Sequence, residues 1–182
     1  MKTIYLVRHC AATGQSPDAE LSNLGFQQAN DLILLFDHIE VEHIISSPFL
    51  RAQDSIKPTA QEKKLTIQLD ERLAERTLST SDLPNWLELL EQTFMDIDLK
   101  LTGGESSREA TARAIEVVIE APNNSVLVTH GNLMSLILKY YDNSFGFHQW
   151  KSLSNPDVYS LMIGNEESRT SRIWQVKSHT SQ

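Results

Sequence analysis

The sequence predicts an α/β protein, a three-layer α/β/α sandwich around a mostly parallel central sheet. Helical and strand-like patterns alternate along the chain, which is the order that builds parallel sheets. The stretches 3–8 and 125–129 are apolar with no polar alternation, as expected of strands covered by helices on both faces. Both run straight into a histidine, as LVRH at 6–9 and LVTH at 127–130. In an open α/β sheet, ligands bind beyond the carboxyl ends of the strands. Were the two strands parallel neighbours, His9 and His130 would emerge side by side.

The elements follow in order. Residues 3–8 form the first strand. Ser22 caps a helix to about Phe36, with Leu24, Ala29, Leu32, Ile33 and Phe36 on one stripe. His43 to Ser46 is a short second strand. A helix starts at Phe49, and Pro58 is expected to end or kink it near Lys57. Thr66 to Leu69 is a third strand. Pro84 opens a helix carrying Trp86, Leu87, Leu90 and Phe94. Ser106 and Glu109 have capping-box spacing for a helix to about Glu120. Ser125 to Thr129 is a strand, Asn132 to Tyr140 a helix, and Asp157 to Ile163 with Ser171 to Val176 a closing pair of strands.

Composition narrows the function. The 182 residues, 40% apolar and 22% charged, fit one globular domain over 1–182. A net charge of −8 disfavours a general nucleic-acid binder. It leaves room for a small anion held by a few converging arginines. The one cysteine, Cys10, has no disulfide partner and sits in no zinc pattern. No apolar run is long enough for a membrane span, and Arg8 cuts off any secretory segment. A cytoplasmic, reducing location is expected. Oligomeric state is not legible.

The polar residues at the strand ends suit phosphate chemistry. In SSPFLRA, residues 46–52, Arg51 falls in the first turns of a helix, where the dipole disfavours a cation. An anion bound between the helix start and the guanidinium relieves that conflict. Arg8, Arg51, His9 and His130 therefore suggest a pocket for a dianion, with arginine's planar fork matched to phosphate oxygens. Neutral imidazole can attack phosphorus. A cation about 4 Å away costs imidazolium roughly 4 kcal/mol at an effective dielectric near 20, which favours a free lone pair on His9. The same guanidiniums would hold the transition-state oxygens. The leaving oxygen needs a proton, and Glu75 in RLAER is a candidate donor that nothing in its local sequence singles out from Glu71.

Taken together, LVRHC at 6–10, LSNLGFQQA at 21–29, SSPFLRA at 46–52, LAER at 73–76, GGES at 103–106 and VTHG at 128–131 resemble, in order, the histidine phosphatase superfamily, the phosphoglycerate-mutase-like family. The resemblance implies a phosphorylated nucleophile at His9 and phosphate-pocket roles for Arg8, Arg51 and His130, with Gly131 beside them. It implies a proton donor at Glu75, a phosphate contact at Gln15 and a substrate contact at Arg76. It implies no metal and no organic cofactor, and a small phosphorylated substrate as partner. The sequence departs from the usual pattern at Cys10, where glycine is common, and at Ala11 and Ala12, where polar residues are common. A Cys10 side chain turned away from the pocket would be tolerated. The segment 77–102 is too short for the long insertion of cofactor-dependent mutases. The expectation is thus a metal-independent phosphomonoesterase of histidine acid phosphatase type. The alternatives are mutase-type phosphoryl transfer and a catalytically weak module that binds phosphorylated ligands or a protein.

Overall fold

The fold was analysed in a computed structural model that describes residues 1–175. The chain runs β1 (Lys2–Arg8), α1 (Asn23–Phe36), β2 (His43–Ser46), α2 (Leu50–Lys63), β3 (Ile67–Leu69), a single 3₁₀ turn (Glu71–Leu73), α3 (Trp86–Met95), α4 (Ser107–Glu120), β4 (Ser125–Thr129), α5 (Gly131–Tyr141), α6 (Phe147–Lys151), β5 (Asp157–Ile163) and β6 (Ser168–Arg172). Among the described residues the six strands form one sheet in the order β3-β2-β4-β1-β5-β6. The first four in that order are parallel; β5 is antiparallel to β1, and β6 to β5. Among the same residues no helix is long and apolar enough to cross a membrane.

Alternate side chains of the central strands feed two cores. Val7, Ile44, Val126 and Val128 face α1 and α2, where they meet Ala29, Leu32, Phe36, Ala52 and Ile56. Ile4, Leu6, Ile45 and Leu127 face the other way, toward α3, α4 and α5. The central strands β1, β2 and β4 are therefore covered on both faces, the condition that leaves them without polar alternation. In these strands the charged and imidazole side chains of the site appear where the strands stop.

The predicted helix starts hold in their chemistry. Ser22 Oγ accepts from the Gly25 N–H at 3.1 Å, capping α1. At α4 both halves of the capping box form, with Glu109 N–H donating to Ser106 Oγ and Ser106 N–H donating to the Glu109 carboxylate. Four expectations need correction. Pro58 does not stop α2, which runs on to Lys63. Proline forfeits one helical hydrogen bond, but Ile56, Thr59 and Ala60 are buried around it, and their packing holds the helix. The helix stops instead at Lys64, which adopts a left-handed conformation (φ 57°). In α1 the position facing inward is Gly25, whereas Leu24 is exposed. The last strand is Ser168–Arg172 and not 171–176. Ile173 and Trp174 suggested a strand by their apolarity, yet they pack on the core beneath α1; Val176 lies outside the described residues. Pro84 sits in the turn before α3, which starts at Trp86. The short α6 and the 3₁₀ turn lack enough residues to show a period.

Gly25 links this packing to the site. A Cβ there would collide with the carbonyl of Ala11, two residues after His9. That carbonyl also accepts from the Ser22 N–H at 3.0 Å, and the Ala11 N–H donates to Gln28 Oε1 at 2.8 Å. The loop leaving β1 is thus clamped onto the first turns of α1. Gly25→Ala is expected to lose about 1–3 kcal/mol of stability through overpacking, read as a lowered urea midpoint. An unchanged midpoint would show that the loop yields freely.

Candidate active site

Three neighbouring parallel strands deliver the site. In the β1–β4 register Leu6 lies beside Leu127, Val7 beside Val128 and Arg8 beside Thr129. The next residues on each are His9 and His130, and the register is carried on by the His9 N–H donating to the Thr129 carbonyl at 3.1 Å. Their rings lie 5.1 Å apart between centroids. On the other side of β4, β2 ends level with them, with Ser46 beside Val128. The Ser47 N–H then donates to the Val128 carbonyl at 2.9 Å, and α2 starts three residues on, with Arg51 as its second residue.

His9 is 7% exposed and its two nitrogens have different tasks. Nδ1 lies 2.7 Å from the Cys10 carbonyl, which can only accept, so Nδ1 carries the proton. Nε2 accordingly has a lone pair, and it accepts from Arg51 Nε–H at 3.3 Å. The ring's pKa is lowered from 6.5 to about 4. Burial is the largest cause; the Cys10 carbonyl opposes it, and the charges of Arg51 and Arg8 add to it. Desolvation thus outweighs the neighbouring cations, which are the only cause visible in the sequence.

His130, at the start of α5, is 1% exposed, with its pKa driven well below 6.5 by burial first and by His9, Arg51 and Arg8 after it. Its Nε2 lies 2.8 Å from Ser47 Oγ, which accepts from the Phe49 N–H at 3.2 Å. When the Ser47 hydroxyl donates to Nε2, the proton of His130 sits on Nδ1. That Nδ1 and Arg8 Nε are both buried without a protein partner among the described residues. Buried polar atoms left unpaired in a dry, cationic site are what an anion would satisfy. Arg51 is 1% exposed, its Nη1 donating to the Gln15 and Ser16 carbonyls at 3.1 and 2.8 Å. Gly131 leaves room for Arg8, because a Cβ there would stand 3.0 Å from the guanidinium carbon.

Glu75 reaches the same region from the loop after the 3₁₀ turn. Its carboxylate accepts from the N–H groups of Arg76, Asn132 and Leu133 at 2.8, 3.0 and 3.0 Å. Two of these belong to the first turn of α5, whose positive end suits a carboxylate. Glu71, the other acid considered, is exposed in the 3₁₀ turn. Glu75, Arg8, Gln15 and Arg76 share the lining of a cavity of about 540 Å³. The Arg76 guanidinium is committed elsewhere, to the Glu105 carbonyl and to the hydroxyls of Thr93 and Ser107. Cys10 points into the core under α1 and α2, and burial pushes its thiol up to about 12, so it is an inert packing group. Among the described residues no group of three or more His, Cys, Asp or Glu side chains could hold a metal ion.

The model of the histidine phosphatase superfamily, branch 1, matches residues 4–175. The chain belongs to that family. Comparison with curated proteins finds no match. Among solved structures, a mycobacterial glucosyl-3-phosphoglycerate phosphatase is 23% identical, covers 94% of this chain and 96% of its own, and has a TM-score of 0.72. A phosphoserine phosphatase from Entamoeba histolytica is 17% identical over 97% of this chain and 98% of its own, at 0.74. YhfR of Bacillus stearothermophilus is 19% identical over 94% and 96%, at 0.75. At these identities the likeness establishes the shared fold.

This histidine phosphatase superfamily member also uses residues that sequence reading passed over. Asn155 Nδ2 donates to the His9 carbonyl at 2.9 Å, and Arg8 Nη1 donates to the Leu153 carbonyl at 3.1 Å. That loop is anchored by Asp157, fully buried opposite Arg8 in the β1–β5 pairing and bound by Arg172 at 2.6 Å. Ser55 Oγ accepts from the Cys10 N–H. Arg113 donates to the Arg72 and Ala74 carbonyls and to Glu105, holding the loop that carries Glu75. None of these has a local sequence signal; most of the contacts join residues more than 30 positions apart, and the Arg172–Asp157 and Arg113–Glu105 pairs match no helical or strand spacing.

The lowered His9 pKa has a pH signature. The unfolded chain takes up a proton below about pH 6.5, while the folded ring refuses it until about pH 4. Stability is therefore complete above pH 6.5 and falls as pH drops toward 4, by an amount on the order of 3 kcal/mol. A ¹⁵N-resolved titration of the free protein should show His9 neutral, protonated at Nδ1, down to near pH 4. A midpoint above pH 6 would contradict the buried, neutral ring.

Proposed function

We propose that the protein is a metal-independent phosphomonoester hydrolase that works through phospho-His9 on a small phosphorylated metabolite. The supporting observation is the His9 tautomer: Nδ1 is fixed to the Cys10 carbonyl while the Nε2 lone pair faces a guanidinium among unpaired donors. A phosphoryl group placed there puts phosphorus in line with Nε2. Arg51 Nε, Arg8 Nε and His130 Nδ1 can then donate to its non-bridging oxygens, and Gln15 lies at the rim of the same cavity.

The step balances as follows. The Nε2 lone pair forms the N–P bond as the P–O bond to the alcohol breaks, and Glu75, which enters the step protonated once the anionic substrate is bound, gives the leaving oxygen its proton. The three N–H groups around Glu75 hold the carboxylate that remains. Glu75 then takes a proton from water, whose oxygen attacks phosphorus. The N–P bond breaks, and inorganic phosphate leaves with His9 neutral again. The buried guanidiniums stay charged throughout, opposite the charge that develops on the equatorial oxygens.

Hydrolysis is favoured over mutase-type transfer because a mutase must also hold a second anionic group. Arg76, the cation nearest that task, already makes four protein hydrogen bonds. A catalytically weak binding module would need neither the Nε2 lone pair nor a carboxyl at the cavity wall.

With p-nitrophenyl phosphate, His9→Ala is expected to fall to background. Glu75→Gln should lose about 10²- to 10⁴-fold in steady-state turnover yet still release a burst of nitrophenol, because that leaving group needs little protonation. The quenched Glu75→Gln protein should carry phosphate on His9 by mass spectrometry. Full turnover in His9→Ala would refute the reading.

A further inference from the structure

We infer that the leaving-group half of the cavity selects the monophosphate ester of an uncharged, flat or apolar alcohol, which excludes substrates bearing a second anion. This rests on the phosphomonoesterase reading and specifies its substrate class. Beyond Arg8 and Glu75, the cavity of about 540 Å³ is walled by Leu78, Trp86, Leu90 and Trp150. Its size is that of a pocket for a small organic ligand.

The wall is a backed aromatic surface. The Trp150 indole stacks on Phe147 with centroids 5.4 Å apart and planes 24° from parallel. Phe147 in turn meets Phe94 edge-on at 6.0 Å. The pile is held between α6 and α3, so Trp150 offers a plane already fixed in orientation. Trp86, at the first position of α3, is 50% exposed beside the same cavity. A large indole left half in water next to a pocket gains by covering an apolar ligand.

Charge points the same way. The cavity's cations are Arg8 and Arg76. Arg8 serves the phosphoryl end. Arg76 is 6% exposed, with its guanidinium bound to Glu105, Thr93 and Ser107. A carboxylate or second phosphate would lose water here and find at most one uncommitted N–H on Arg76, too few for the two-pronged grip an anion needs, while Glu75 would repel it. The polar feature that does remain is neutral. Asn132 is 8% exposed, lines the cavity, and has both side-chain polar atoms buried without a partner among the described residues. A carboxamide offers one acceptor and one donor group, matched to a hydroxyl or carbonyl on an uncharged leaving group.

Non-hydrolysable phosphonates separate this inference from the catalytic one. Calorimetry should show 1-naphthylmethylphosphonate binding at least about tenfold tighter than 3-phosphonopropanoate, the scale of one aromatic pairing. Trp150→Ala should weaken the naphthyl compound about tenfold and leave inorganic phosphate within about twofold. Trp86→Ala, altered at an exposed site, should act in the same direction and replaces Trp150→Ala if that variant fails to fold. Equal or tighter binding of 3-phosphonopropanoate, with p-nitrophenyl phosphate still hydrolysed, would overturn the substrate class and leave the phosphatase reading standing. Failure of the protein to bind phosphate or either phosphonate would overturn both.

Discussion

The pairing of β4 with β1 on one side and β2 on the other fixes which groups can face a bound anion. All three strands are parallel and end level, so His9, His130 and the Ser47–Arg51 turn emerge at one edge. A parallel register is set along the whole strand by side chains packed on two faces. Slipping β1 by one residue would send Val7 and Leu6 to the wrong cores and turn the His9 ring away. The geometry of the site is thus a consequence of core packing rather than of local loop preferences.

Burial then decides the chemistry. The two imidazoles are neutral chiefly because they are dry, and only secondarily because arginines stand nearby. The same dryness works against Arg8, whose charge is supported by Glu75 and by Asp157 across the β1–β5 pair. Asp157 in turn is fully buried and bound by Arg172 and by the Ser154 and Val158 N–H groups. A chain of compensating charges therefore runs from the sheet edge at β6 to the pocket beside His9. The cost of burying Arg8 and Arg51 is met by carbonyls and carboxylates whose positions the fold fixes, leaving a few donors over for a ligand.

What could be read from the sequence was what depends on short-range pattern. The apolar runs at 3–8 and 125–129, the Ser22 and Ser106 caps and the shared LVxH endings are local signals, and the structure places His9 beside His130 as those endings imply. Pro58 misled because proline's local penalty was set against burial that only the tertiary structure reveals. Ile173 and Trp174 misled because apolar residues that cover a helix look like apolar residues in a strand. Arg76 was expected at the substrate; it lines the cavity wall, but Thr93, Ser107 and Glu105 take four of its five N–H groups, and no spacing in the sequence announces that. Asn155, Asp157 and Arg113 were illegible for the same reason. Their partners lie across the fold, and an isolated Asn, Asp or Arg reads as a solvated surface group.

The convergence of these groups on one phosphoryl site is open to a direct test by a crystal structure with orthovanadate, which adopts the five-coordinate geometry of phosphoryl transfer. The expected result is vanadium bonded to Nε2 of His9, with Arg8, Arg51 and His130 donating to its equatorial oxygens and Glu75 beside the apical oxygen opposite His9. Vanadate seated away from His9, or a His9 ring turned so that Nδ1 faces it, would contradict the proposed arrangement.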